Sequence, residues 1–202
     1  MSASTAVATT EEHPTSTGIP NVKLAMWTFL GSECLLFGAL ISVFLLYRNH
    51  VTSGPRLHDV YDIPFTSVSS FVLLMSSLTM VLALAAIQRG DHHRCRTWLA
   101  ATAFLGMVFV SGQVYEFTVF VRKGFTVRSS TAGSSFFVLT SFHGAHVTIG
   151  IIMLLSLVGM SLRGQLPQAR ASTVEYVGLY WHFVDIVWIV IFTLVYLIPA
   201  PK

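Results

Sequence analysis

Charge is what this sequence has least of. Lysine, arginine, aspartate and glutamate together make up 10% of the 202 residues, whereas a soluble chain carries about a quarter. With 53% hydrophobic residues and a positive mean hydropathy, the chain reads as an integral membrane protein. Cysteine is scarce as well. Cys34 lies in an apolar segment and Cys95 in what reads as a connecting loop, and two such thiols form neither a disulfide framework nor a zinc ligand set. The net charge is only +3 and no basic run is present, which argues against nucleic acid as a partner. Residues 1–22 are rich in Ser, Thr and Ala and have neither a basic start nor an apolar core. They are therefore not a signal peptide, and a disordered tail is expected. There is no CxxC, no phosphate loop and no HExxH.

Proline is missing from the apolar stretches. Five such stretches follow the tail, at about 24–47, 66–88, 98–121, 134–162 and 174–198. Each is long enough to cross roughly 30 Å of hydrocarbon as a helix. In lipid every backbone amide needs an internal partner. The expected fold is therefore all-α, an integral membrane bundle of five transmembrane helices making one domain over residues 23–202. Gly54-Pro55, Gly90-Asp91, Gly124, Gly133, Gly164 and Pro167 punctuate the loops. Trp27, Tyr47, Trp98 and Tyr196 lie near segment ends, where amphipathic rings favour the interface. Orientation is undecided by charge. Lys23, Arg89, Arg94, Arg96, Arg163 and Arg170 fall on the side of the N-terminal tail, and Arg48, Arg56, Arg122, Lys123, Arg128 and Lys202 on the other. No internal repeat suggests an inverted-repeat transporter.

Against this apolar background a few polar residues stand out. Tyr180-Trp181-His182-Phe183-Val184-Asp185-Ile186-Val187-Trp188 places a histidine and an aspartate one helical turn apart inside the last span. Each ionisable group at mid-membrane costs about 2.5–3.5 kcal/mol on insertion scales and needs a partner in the bundle. A spacing of three puts both on one face, and Glu175, seven residues earlier, lies near that face too. The first span carries Glu33, the third Gln113 and Glu116, and the fourth His143 and His146 with Gly144 and Gly150 nearby. The second has Ser69, Ser70, Ser76, Ser77 and Thr79 and no charge, a composition suited to close helix packing. These groups are compatible with a proton path, with polar glue between helices, or with a metal or bis-histidine haem site using His182 and a histidine of the fourth span. No spacing requires a metal.

The same residues carry a resemblance. The Tyr180–Trp188 run, Gly133-Ser134-Ser135-Phe136-Phe137 and Phe142-His143-Gly144-Ala145-His146-Val147-Thr148-Ile149-Gly150 resemble the signatures of subunit III of haem–copper terminal oxidases. So do Lys23-Leu24-Ala25-Met26-Trp27, Ser32-Glu33-Cys34-Leu35-Leu36-Phe37 and Gln113-Val114-Tyr115-Glu116-Phe117. The motifs run in the family's order over about residues 20–198. The resemblance implies a subunit without metal or redox cofactor, docked on subunit I, with haems and copper in subunits I and II. It implies a cleft holding phospholipid and a role in sustaining proton uptake, in protecting the enzyme during turnover and in guiding oxygen. Longer members have seven helices, and this chain matches the five-helix bacterial form. The tail is then cytoplasmic and the C-terminus outside, in a bacterial plasma membrane. Glu33, His143 and His146 match family positions read as lipid-cleft or proton-antenna groups. Arg163 is placed by position and charge to meet a phospholipid headgroup. His182 and Asp185 match the final helix, and with Gln113, Glu116 and Glu175 they make up an expected helix-packing polar network. Cytochrome c is the expected electron donor to the complex. A quinol oxidase or a nitric oxide reductase accessory subunit is the alternative within the family, and a stand-alone transporter, proton channel or membrane cytochrome the alternative outside it.

Overall fold

The computed structural model describes residues 18, 20–48, 62–128 and 130–198, and these residues are all helix and turn. Residues 1–17 of the expected tail, and Gly54-Pro55, lie outside the described residues. The helices are α1 (Asn21–Tyr47), α2 (Ile63–Gln88), α3 (His92–Arg122), α4 (Thr131–Leu162) and α5 (Ala171–Phe192). A one-turn 3₁₀ segment, Gln168–Arg170, precedes α5, and a π-turn, Thr193–Leu197, continues it. Among the described residues, five helical segments are long and apolar enough to cross a membrane.

The helix ends follow from local chemistry. Asp62, Asp91 and Ser130 cap α2, α3 and α4, each side chain accepting from the backbone N–H three residues on, which satisfies amides that have no partner within the helix. At the other end of the same three helices one device recurs. Gly90, Gly124 and Gly164 take positive φ, and the next residue donates back into the helix: Asp91 to Ala86, Phe125 to Phe120 and Gln165 to Met160. This is the Schellman closure, which needs a left-handed residue that glycine adopts without strain.

Two sequence expectations shift here. The third helix starts at His92, six residues before the apolar run, because Asp91 caps it. Cys95 therefore lies not in a loop but in the first turn of α3, 1% exposed. Gly133 is likewise the third residue of α4, its N–H bound by Ser130, rather than a loop residue. The N-terminal boundary moves as well, since Asn21 and Val22 belong to α1.

α2, α3, α4 and α5 pack as a four-helix core, with α2 on α3, α3 on α4, and α5 against both α2 and α4. Trp181 fills the centre at 1% exposure. A methyl added at Gly106 of α3 would sit 2.6 Å from its ring, and one at Gly150 of α4 would sit 2.8 Å away. Two bare backbones thus make the slot for the largest side chain, the small-residue packing expected between helices in lipid. α1 stands outside this core against α4 and α5. Only 11% of its most apolar stretch is buried, against 28–44% for the other spans.

Candidate functional site

α1 meets the core through one polar contact at mid-span. Glu33 lies twelve residues into α1, about 18 Å along it. Its Oε2 is 3.1 Å from His146 Nε2 on α4, with the two side chains 15% and 14% exposed. The imidazole is fixed from behind, Nδ1 lying 2.7 Å from the Phe142 carbonyl one turn earlier. A ring nitrogen facing a carbonyl must carry the proton, so Nδ1–H donates there. A neutral ring would then face the carboxylate with a bare Nε2. The contact closes only with a proton on Nε2 or on Glu33, which makes it a place where one proton is shared. Tyr180 on α5 donates to the His146 carbonyl at 3.0 Å. Phe37, one turn along α1 from Glu33, sets its ring edge against His146 with centroids 5.0 Å apart. Three helices therefore converge on this pair.

His143 does not join it. One turn earlier on α4 it points into the core and is wholly buried. It stacks on Trp188 with centroids 4.8 Å apart and meets the edges of Phe109 and Phe37. Neither ring nitrogen has a hydrogen-bond partner, so aromatic packing holds it. The expectation that His143 faces a lipid cleft is not met, because the helix turn that aims His146 at α1 aims His143 between α3 and α5. Arg163 is exposed at the C-terminal end of α4, seventeen residues and about 26 Å from His146.

The expected polar network is instead a set of separate pairings. Gln113 donates to the Thr140 carbonyl at 2.8 Å, over Gly144, where a methyl would lie 2.6 Å from its Oε1. Glu116 accepts from Thr66 at 2.7 Å and from Tyr196, in the π-turn, at 3.4 Å. Glu175 leaves the stripe shared with His182 and Asp185. It binds Lys23 at the start of α1 at 2.8 Å, with both side chains about one-third exposed.

His182 and Asp185 both turn to α2, where Ser77 lies 2.9 Å from His182 Nδ1 and donates to Asp185 Oδ2. A hydroxyl has one proton. With that proton on Asp185, His182 donates through Nδ1–H. The serine sits between acid and imidazole, whereas a hydrolytic triad needs the imidazole between serine and acid. The trio is glue rather than a nucleophile.

Sequence reasoning missed the indoles beside this trio. Trp181 donates to Ser76 and Trp188 to Ser70, at 2.9 and 2.8 Å. Ser76 and Ser70 in turn donate to the Leu73 and Thr66 carbonyls of their own helix. The signal was available, since a buried indole N–H must find an acceptor and α2 supplies hydroxyls at matching height. No three His, Cys, Asp or Glu side chains converge as a metal site among the described residues. The histidines of α4 and α5 engage Glu33, Ser77 and aromatic rings.

Comparison with known proteins agrees with the bundle and with the motifs. The family model described as cytochrome c oxidase subunit III matches residues 5–199. A cytochrome c oxidase subunit 3 of Bacillus sp. (strain PS3) is 34% identical over 197 residues, 98% of this chain and 95% of that protein. A quinol oxidase subunit 3 of Bacillus spizizenii is 37% identical over 187 residues, 92% of this chain and 91% of that one. A cytochrome bo(3) ubiquinol oxidase subunit 3 of Pseudomonas aeruginosa is 33% identical over 180 residues, covering 89% and 86%. The chain belongs to the subunit III family of haem–copper oxidases, multi-pass membrane subunits of an oxidoreductase complex.

Proposed function

We propose that this chain is the non-catalytic subunit III of a proton-pumping cytochrome c oxidase that reduces oxygen to water. It docks on subunit I, while haems and copper reside in subunits I and II. It holds phospholipid beside α1 and sustains proton uptake and turnover stability through Glu33 and His146. The observation that carries this reading is the Glu33–His146 contact, 3.1 Å across the seam between the outermost helix, α1, and α4. Of the other carboxylates in the spans, Glu116 and Asp185 are tied to hydroxyl groups of this chain and Glu175 to Lys23. Such a chain has the groups to relay a proton and hold a lipid, and it needs no reaction centre of its own. In this reading Arg163 meets a phospholipid headgroup, the N-terminal tail is cytoplasmic and the C-terminus lies outside.

Cytochrome c is taken as donor because the matching family model carries that description. The second reading within the family is quinol, favoured by relatives named quinol oxidase subunit 3 at 37–38% identity. The test is gentle purification of the tagged chain from its native membrane, with subunit composition, a reduced-minus-oxidised spectrum and donor assays read together. Haem–copper bands with a copper-bearing subunit and oxidation of reduced cytochrome c are expected. Oxidation of quinol alone would move the chain to the quinol oxidases. A colourless chain purifying by itself would overturn the oxidase role.

A further inference from the structure

The corner between α2 and α3 is a second polar feature, remote from the Glu33–His146 pair. Leu82, Ala86 and Arg89 of α2 and Asp91, Arg94, Thr97 and Trp98 on the α3 side line a cleft of about 550 Å³, within the roughly 300–1,000 Å³ of small-ligand sites. Its lining is ordered by depth. Arg89 and Arg94 stand at the helix ends. Thr97 and Trp98 lie about one turn further in. Ala86 and Leu82 continue inward, Leu82 being seven residues and about 10 Å from Arg89. The sequence cation, interfacial indole, aliphatic surface repeats along this wall the order phosphate, glycerol, acyl chain. Asp91 does not cancel the cations. One of its oxygens caps the Arg94 N–H at 3.0 Å, the other holds Arg94 Nε at 3.2 Å, and the cluster keeps one net positive charge. Arg89 is anchored as well, its Nε donating to the Ala85 carbonyl at 3.0 Å. Each guanidinium is thus held by its inner nitrogen. The corner itself is braced by Gln168, which donates to the Gln88 carbonyl at 2.7 Å.

We propose that this cleft is a binding site for one anionic phospholipid, its phosphate between Arg89 and Arg94, its glycerol beside Trp98 and its chain along Leu82 and Ala86. The site is independent of the α1 seam and of Arg163. Two preorganised guanidinium groups suit a phosphate, and the membrane end of two spans is where a headgroup lies.

The test uses the chain with the subunits that accompany it, purified in mild detergent, and counts bound phospholipid by native mass spectrometry. Arg89→Gln with Arg94→Gln should lose one anionic phospholipid per complex, and Arg89→Lys with Arg94→Lys should retain it. An unchanged count in the Gln pair would overturn the proposal. So would binding of radiolabelled inorganic phosphate to the delipidated complex, lost in the Gln pair while the lipid count stays constant, because the site would then serve free phosphate. A measurement on the unaltered protein stands beside these in case the Gln pair fails to assemble. A photoactivatable anionic phospholipid with its diazirine near the glycerol should label the peptide carrying Thr97 and Trp98, and its phosphatidylcholine counterpart should not. Equal labelling by both, or by neither, would refute an anionic site.

Discussion

Two seams in this molecule carry an acid and an imidazole inside the membrane. Between α1 and α4, Glu33 and His146 face each other directly and remain about 15% exposed. Between α2 and α5, Ser77 stands between His182 and Asp185, and the indoles of Trp181 and Trp188, which flank that pair along α5, donate to Ser76 and Ser70. In the second seam the bonded polar atoms meet hydroxyl groups or indoles, and one carboxylate oxygen, Asp185 Oδ1, is buried without a partner. In the first, one ionisable group answers another. Polar residues in a membrane bundle thus fall into two kinds, told apart by whether the partner is an acid or base or a neutral hydroxyl or indole.

The comparison breaks hardest at the centre of the seam between α2 and α5. Trp181→Ala empties the slot between Gly106 and Gly150 and leaves Ser76 without its donor. Large-to-small changes of this kind cost about 3–5 kcal/mol, so the purified complex should contain much less of this subunit on a stained gel. Next comes Ser77→Ala, which strands His182 and Asp185 together. Burying an unsatisfied polar group costs about 1–3 kcal/mol, and the variant should unfold at lower SDS concentration. Adding His182→Leu and Asp185→Leu should recover most of that loss, because an apolar replacement of a whole buried cluster is often close to neutral. A triple variant weaker than Ser77→Ala would show that the trio stabilises on balance.

Glu33→Gln probes the seam between α1 and α4. An amide can still meet His146, so subunit content should stay near normal while phospholipid retention or sustained oxygen consumption falls. A normal turnover lifetime with full lipid would reduce the pair to glue. The smallest effect belongs to Lys23→Ala, which removes a partly exposed ion pair that solvent screens. Its influence on α1 docking should fade as salt rises.

The five spans, the polar residues within them and the family were legible in the sequence, because long proline-free apolar runs have one solution in lipid. The partners were not. Spacing put His143 and His146 within one turn, but only the positions of α1 and α3 decide that the first enters an aromatic cage and the second meets Glu33. Spacing also joined Glu175 to His182 and Asp185, yet at the end of α5 the side chain reaches Lys23 on another helix. Cys95 was misplaced because hydropathy marks where a helix becomes apolar, not where it begins, and Asp91 starts α3 a turn and a half earlier.

The seat of α1 has a consequence for the order in which the protein is made. Of the five helices this one leaves the ribosome before the others, yet it rests on α4 and α5, which are made after the other three. Glu33 precedes its imidazole partner by 113 residues. At about 5–20 residues per second, the carboxylate waits on the order of ten seconds in the bilayer or the insertion machinery before His146 exists. Of the other helices only α2 and α3 can pair in the meantime, and α4 and α5 close on them once they are made. The earliest of these five helices therefore cannot take its seat until the latest two exist, and the bundle is completed by recruiting a span that has been waiting beside it.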